Sequence, residues 1–466
     1  MTRPWAASAH QMLDELRSGR ISAVELVREC LDRITQVNPA LNAVVVLDAD
    51  AALAQAREVD DARARGGPVG PLAGLPYTAK LDYDVEGQAT SQGATILKDE
   101  VAAHDGPMIR RMRQAGAVLL GRTNEPDLGI VYHTNSSLYG PTRNAWASDR
   151  SPGGSSGGEG AAVSSGMSPL GLGSDIGGSI RGPASFNGIV GFKPGLGRYP
   201  DYLQSDPEPP IHEQLFVGRG PLARSVRDLA LADAVLRGVD ASDPWSSPSA
   251  DGGRPPRRVG VVYSPTDTAV PDEIVRAIDD AANALAIAGY EVDETRIDNW
   301  PELVDTFTDI MENGFGGDPS TWQALHKDTA FFLEHVHTRR GKSGPAGERL
   351  ATGLAKRHRL GVEFNAFHSR FDALLMPTWA DQPFLSGALT TAEGIEQTMA
   401  AGRHLYIFNL LGLPALSMPV AVADGLPVGL HISSLRHQEP AVLTVALDLE
   451  DQIGTFTPID PRGAQL

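Results

Sequence analysis

Residues 151–194 read SPGGSSGGEGAAVSSGMSPLGLGSDIGGSIRGPASFNGIVGFKP, and the architecture turns on why this stretch holds so many glycines. Gly/Ser composition alone describes a flexible linker. That reading fails because apolar, strand-like pieces (Met167 to Leu172 and Ile189 to Phe192) are interleaved, so the segment runs through a core. A dinucleotide loop fails too: Gly171 and Gly173 are correctly spaced, but Ile occupies position 176 and breaks G-x-G-x-x-G. A serine-hydrolase site remains, in two versions. Gly154-Ser155-Ser156-Gly157-Gly158 satisfies G-x-S-x-G and offers Ser156 as an elbow nucleophile, but that elbow needs a buried apolar strand before it, and DRSPGG is not one. GSDIGGSIRGP offers Ser179 instead, where two preceding glycines let several backbone N–H groups turn toward one point, as an oxyanion requires.

Outward from this block, short apolar runs alternate with helical segments. GPMIRRMRQAG (106–116) leads into AVLLG (117–121), RVGVVYS (258–264) precedes a helix from near Pro271, and DALLMPT (372–378) precedes one near 392–410. Such alternation predicts an α/β fold: a large mixed, mostly parallel sheet covered by helices on both faces. Residues 1–66 read as a helical segment packed on it. Ser22 with Glu25 forms a capping box before Val24, Val27, Leu31 and Ile34, and DADAALAQAREVDDARARG (48–66) gives a second helix. One domain over 1–466 is expected, with a core over 72–235 and a second half over 257–466. The Pro/Gly/Ser-rich stretch 242–256 is the candidate exposed linker between them.

Composition excludes whole classes of function. A formal charge of −18 and a pI near 5.1 argue against a nucleic-acid partner, whose phosphates need a basic footprint. The single cysteine, Cys30, rules out an internal disulfide and a four-thiolate zinc site, and its stripe with Val27, Leu31 and Ile34 reads as core. The N-terminus has no apolar signal region, and Ile407 to Ala423 is too broken by Asn409, Pro414 and Pro419 to span a bilayer, so a soluble, cytoplasmic protein is expected. His335 and His337 in FFLEHVHTRR lie two apart on a predicted helix, so they do not share a face and are expected to face solvent. No cofactor and no metal are expected.

The chain resembles the amidase signature enzymes along most of its length. The likeness begins in SGRISAVELVRECLDRITQVNPALNAVV, runs through LAGLPYTAKLDYDVEG and LLGRTNEPDLG, and resumes in FDALLMPT and FNLLGLPALSMPVAVADGLPVGL. It is densest in the central block, where SPGGSSGGEGA and SDIGGSIR are most similar to the fatty acid amide hydrolase branch. The resemblance implies the amidase signature fold and a Ser–cis-Ser–Lys triad. Ser179 is the implied nucleophile, Ser155 the relay behind a cis peptide bond from Gly154, and Lys80 of GLPYTAK the general base. It implies an oxyanion hole from the N–H groups of Ile176, Gly177, Gly178 and Ser179, with Ser156, Asp175 and Arg181 in support.

The residue types suit amide hydrolysis. Lysine serves as a base only when neutral. Its ordinary pKa of about 10.4 would have to fall by roughly three units, or about 4 kcal/mol, which burial in an apolar strand flanked by Leu75, Leu81 and Val85 is expected to supply. Residues 300–400 are rich in bulky side chains, among them Trp300, Phe307, Met311, Phe315, Trp322, Phe331, Phe332, Phe364, Trp379 and Phe384. With Ile130 and Tyr132 as candidate pocket residues, an apolar or aromatic amide, anilide or carbamate (urethane) is the expected small-molecule partner, and a second copy of the chain, as a homodimer, is the candidate protein partner. The alternative is the glutaminase-type component of a transamidation complex, although DIGG stands here where that branch usually has DTGG.

Overall fold

The computed structural model describes residues 3–249, 255–265, 267–314, 319–339, 346–456 and 458–463. The capping box forms as its spacing requires: Ser22 N donates to Glu25 Oε2 at 2.8 Å and Glu25 N to Ser22 Oγ at 3.1 Å. It opens the helix Ala23–Leu41, whose Val27, Cys30, Leu31 and Ile34 are buried. Burial pushes the Cys30 thiol up to about 12, so it remains a packed thiol.

Among the described residues there are thirteen strands, most of them on the apolar runs: β1 (Val44–Leu47), β2 (Pro76–Lys80), β3 (Val118–Thr123), β4 (Asn135–Ser136), β5 (Gly140–Pro141), β6 (Leu170–Asp175) and β7 (Val190–Lys193). They continue with β8 (Gly218–Ala223), β9 (Arg258–Val261), β10 (Glu291–Glu294), β11 (Ala373–Pro377), β12 (Ala415–Ala423) and β13 (Leu426–Ser433). Eleven form one mixed sheet in the order β1-β3-β2-β6-β8-β7-β12-β13-β11-β9-β10, while β4 and β5 pair separately. The parallel pairing expected from strand–helix alternation holds within two blocks, β3-β2-β6 and β11-β9-β10. Antiparallel ladders join them through the centre. For one of these ladders the reason is local: β12 and β13 are linked by Asp424 and Gly425 at φ 50° and 80°, a two-residue turn whose twist suits a hairpin.

Helices cover both faces, with Arg181–Asn187 packed on β7, β12 and β13, and Glu439–Ile453 against β12 beside Asp272–Ile287. The 242–256 stretch is less exposed than its composition suggests. Asp243 is buried and Ser247 N bonds Gly197 O at 2.8 Å, so its first part is a packed loop; residues 250–254 lie outside the described residues. No helix among the described residues is long and apolar enough to cross a membrane.

The glycines of 151–178 serve close packing. A Cβ at Gly154 would lie 2.4 Å from Val131 O, and one at Gly158 would lie 2.4 Å from Asn124 O, so backbone touches backbone at both positions. Gly178 adopts φ +116°, which turns the chain sharply just before Ser179.

Candidate active site

Strands β3, β2 and β6 are parallel neighbours, so their carboxyl ends open on one edge, where open α/β sheets bind ligands. Lys80 ends β2 in register with Thr123, and Glu125 follows two residues beyond β3. Ser174 and Asp175 end β6. Two helices start at the same edge: Gly157–Ser164, entered through Ser155 and Ser156, and Arg181–Asn187, entered through Ser179 and Ile180. Ser156 N donates to Ser179 O at 3.2 Å and ties the two turns together. The Gly154–Ser155 peptide bond is cis.

Lys80 is 1% exposed, and its Nζ donates to Ser155 Oγ at 2.7 Å and to Ser174 Oγ at 2.8 Å. Glu125 Oε2 lies 3.0 Å from the same nitrogen and Asp82 Oδ2 3.4 Å. The apolar surroundings expected for this amine are therefore corrected. Leu75, Leu81 and Val85 are buried along the chain beside it, but the nitrogen itself projects past the strand end among two hydroxyls and two carboxyls. Burial alone would raise Asp82, yet Lys80 and Arg219 hold its carboxyl down at about 2. Burial pushes Glu125 up to about 8 despite Lys80.

Behind the glycine turn, Asp175 accepts from Gly178 N (2.8 Å) and Ile180 N (3.0 Å), and pairs with Arg181 at 2.8 Å. Burial opposes its ionisation, but Arg181 and these N–H donors keep its carboxyl far below the usual range. Arg181 also reaches Leu405 O and Asn409 Oδ1, and Asn409 Nδ2 returns to Asp175. The Gly178 N–H, one of the four expected oxyanion donors, is engaged by Asp175. The N–H groups of Ile176, Gly177 and Ser179 have no hydrogen-bond partner among the described residues. Ser156 Oγ bridges the N–H and carbonyl of Ser174, holding β6 to the turn.

Ser155 and Ser179, 3% and 5% exposed, line one cavity of ≈ 160 Å³ with Lys80. Ile130 and Tyr132 line it, joined by Phe307, Met311, Phe332 and Tyr406 on the apolar side and by Arg219 and Glu213 on the polar side. The Tyr132 hydroxyl donates to Gly177 O at 3.0 Å, and its ring packs edge-on against Trp379. Much of the remaining aromatic set, including Trp300 and Phe364, is core; Phe315 lies outside the described residues. His335 and His337 sit on one helix, Lys327–Arg339, but only His337 is exposed. His335 is half-buried and meets Glu396 at 2.8 Å, because a neighbouring helix (Ala392–Gly402) covers that side.

Sequence reasoning missed Glu125, Asp82, Ser174, Arg219 and Asn409. Asp82 and Ser174 stand one or two places from residues it named. Glu125 in TNEPD and Arg219 have no motif of their own and reach the site only through strand register.

A mixed α/β sheet that opens, at its parallel carboxyl ends, onto a buried lysine and serine pair beneath a glycine turn has the layout of a hydrolase of amides. A family model described as Amidase matches residues 25–443, and the chain belongs to this family, the amidase signature enzymes. It is similar to an indoleacetamide hydrolase of Bradyrhizobium diazoefficiens, 35% identical over 97% of this chain and 87% of the relative. It is similar also to one subunit of the glutamyl-tRNA(Gln) amidotransferase of Salinispora tropica, 32% identical over 98% and 99% of the two chains. Among solved structures, a bacterial aryl acylamidase superposes with a TM-score of 0.83 at 28% identity, covering 96% of each chain. The protein is thus an amidohydrolase by family.

Proposed function

We propose that the enzyme hydrolyses C–N bonds of small apolar or aromatic amides, anilides or carbamates through an acyl-enzyme on Ser179. The observation that carries this reading is the 2.7 Å contact from Lys80 Nζ to Ser155 Oγ at the floor of a cavity that Ser179 also lines. Ser179 Oγ attacks the carbonyl carbon as its proton passes to Ser155, whose own proton moves to Lys80 Nζ. The N–H groups of Ile176, Gly177 and Ser179 receive the oxyanion. On collapse the C–N bond breaks, Ser155 protonates the leaving nitrogen, and Lys80 restores the Ser155 proton. Water repeats the cycle on the acyl-enzyme; from a carbamate, whose amine has already left, this frees a carbonic acid half-ester, which loses carbon dioxide to give the alcohol.

The substrate class follows from the walls. A volume of ≈ 160 Å³ is close to the roughly 150 Å³ of an apolar cavity known to hold benzene, so one aromatic ring fits. Phe307, Met311, Phe332 and Tyr406 supply the apolar contacts. The likeness to an amidotransferase component supports glutamine hydrolysis as a second reading. A panel of an anilide, an aryl ester, an aniline carbamate and glutamine decides between them by the amine released. Aniline from the anilide and the carbamate supports the proposal; ammonia from glutamine alone overturns it.

A further inference from the structure

Two carboxyl groups flank Lys80, and their surroundings differ. Asp82 accepts from Ser174 Oγ and meets the guanidinium of Arg219 at 3.0 Å, which Asp201 braces on its other edge. It has a cation of its own. Glu125 has none: Lys80 is the one cation in contact with it among the described residues, at 3.0 Å, and its Oε1 has no hydrogen-bond partner. The guanidinium of nearby Arg122 is turned to the backbone oxygens of Lys80 and Tyr83. Glu125 is 1% exposed and lines the cavity beside Lys80.

We propose that Glu125 is the proton-holding partner of Lys80: its carboxyl keeps, as an acid, the proton that would otherwise sit on the amine, and so leaves Lys80 free to accept one from Ser155. The inference rests on Lys80 being the base of the proposed reaction. Its logic is that one proton shared across 3.0 Å between two nearly fully buried groups avoids a further pair of buried charges when it sits on the carboxyl. The upward displacement of Glu125 by burial agrees with this. Proton bookkeeping is unchanged by the acid form: Lys80 gains the relayed proton on attack and returns it as the amine leaves, while Glu125 retains its own. Once Glu125 ionises, the same ammonium forms beside a carboxylate, which eases the transfer. The rate therefore climbs with pH across the Glu125 ionisation. The charged groups facing that carboxyl are Lys80 and Asp82 from the β2 end, Arg122 from β3 and Arg219 from β8.

The test follows kcat/KM for an anilide from about pH 6 to about pH 10 in the full chain. The wild-type profile should rise through an inflection near the Glu125 value of about 8, and E125Q, which cannot ionise, should lack it. The ratio of kcat/KM at high to low pH then falls at least about threefold in E125Q, and E125D restores the inflection. Infrared difference spectra between the same pH limits read the carboxyl without turnover. A protonated-carboxyl band lost on alkalinisation in the wild type should be missing from E125Q. An E125Q variant that keeps both the wild-type inflection and that band overturns the proposal. Wild-type protein that shows the band but hydrolyses no amide overturns the reading of the site and leaves the protonation of Glu125 standing.

Discussion

Two buried charge clusters stand on either side of the Ser179 turn, and they are built on opposite plans. Behind the turn, Asp175, Arg181 and Asn409 satisfy one another and the backbone, with both Asp175 oxygens and three Arg181 nitrogens engaged. In front of it, Lys80 meets two carboxyls, and one oxygen of each, Asp82 Oδ1 and Glu125 Oε1, has no hydrogen-bond partner among the described residues. Fully paired buried charge fixes geometry, whereas partly paired buried charge keeps protons movable. The first cluster shapes the loop that carries the nucleophile, and the second faces the cavity where a proton has to travel.

The sharpest way to break this comparison is to remove the groups assigned to chemistry. Ser179→Ala and Lys80→Ala should each lower kcat for an anilide by at least about 10³-fold, with circular dichroism and melting behaviour close to wild type. Full turnover in either variant would remove the front cluster from the reaction. The rear cluster should respond in the opposite sense. Arg181→Met strands the Asp175 carboxylate in the core and should cost about 3–5 kcal/mol in urea unfolding. The Asp175 carboxyl lies below its unfolded value, so the stability it contributes is present above the unfolded pKa and is lost as pH falls through the folded one. A variant that loses activity but no stability would make Arg181 part of the chemistry instead.

The two clusters were unequally legible in the sequence. The glycine turn and Ser179 can be read from the residues themselves, whereas Ser155, Asp175 and Arg181, in the same continuous stretch, are implied by the resemblance. Lys80 was reached through its likeness to a motif, since a lysine at a strand end carries no local mark. Glu125 and Arg219 come to the site by the register of β3 beside β2 and of β8 beside β6, which no local pattern specifies. The fold divides in the same way. Alternating strands and helices announce the parallel blocks, but the antiparallel centre depends on which short strands return beside one another, and that is a tertiary outcome. The apolar setting expected for Lys80 failed for a related reason: neighbours in sequence describe the strand, whereas the tip of a long side chain meets whatever the adjacent strands bring.

A fourth buried carboxyl sharpens the contrast from beneath the site. Glu159, on the helix Gly157–Ser164, accepts from Thr78 Oγ1 at 2.7 Å and Thr123 Oγ1 at 2.8 Å, joining β2 to β3. Burial pushes it up to about 8, with the two threonine donors opposing. A raised carboxyl means the folded state binds the extra proton. Its contribution to stability is therefore fully present below the unfolded value of about 4.3 and is lost as pH rises through about 8. Glu159→Gln should flatten that decline, leaving the variant more stable than wild type at alkaline pH by on the order of 2 kcal/mol. Equal declines in urea unfolding would show that the carboxyl is ionised throughout.

The smallest expected effect falls where the cavity meets the turn. Tyr132 presents its ring to the cavity and to Trp379, while its hydroxyl holds Gly177 O, one peptide away from an N–H assigned to the oxyanion. Tyr132→Phe keeps the packing and deletes the hydroxyl, with the bond it shares with Tyr406 and its bond to Gly177 O, hydrogen bonds worth about 0.5–1.5 kcal/mol each. If the bond to Gly177 O positions the donors, kcat should fall by about three- to tenfold while KM hardly moves, because the interaction serves the transition state rather than the bound substrate. A rise in KM with unchanged kcat would instead assign Tyr132 to substrate contact and leave the Asp175–Arg181 cluster to hold the turn by itself.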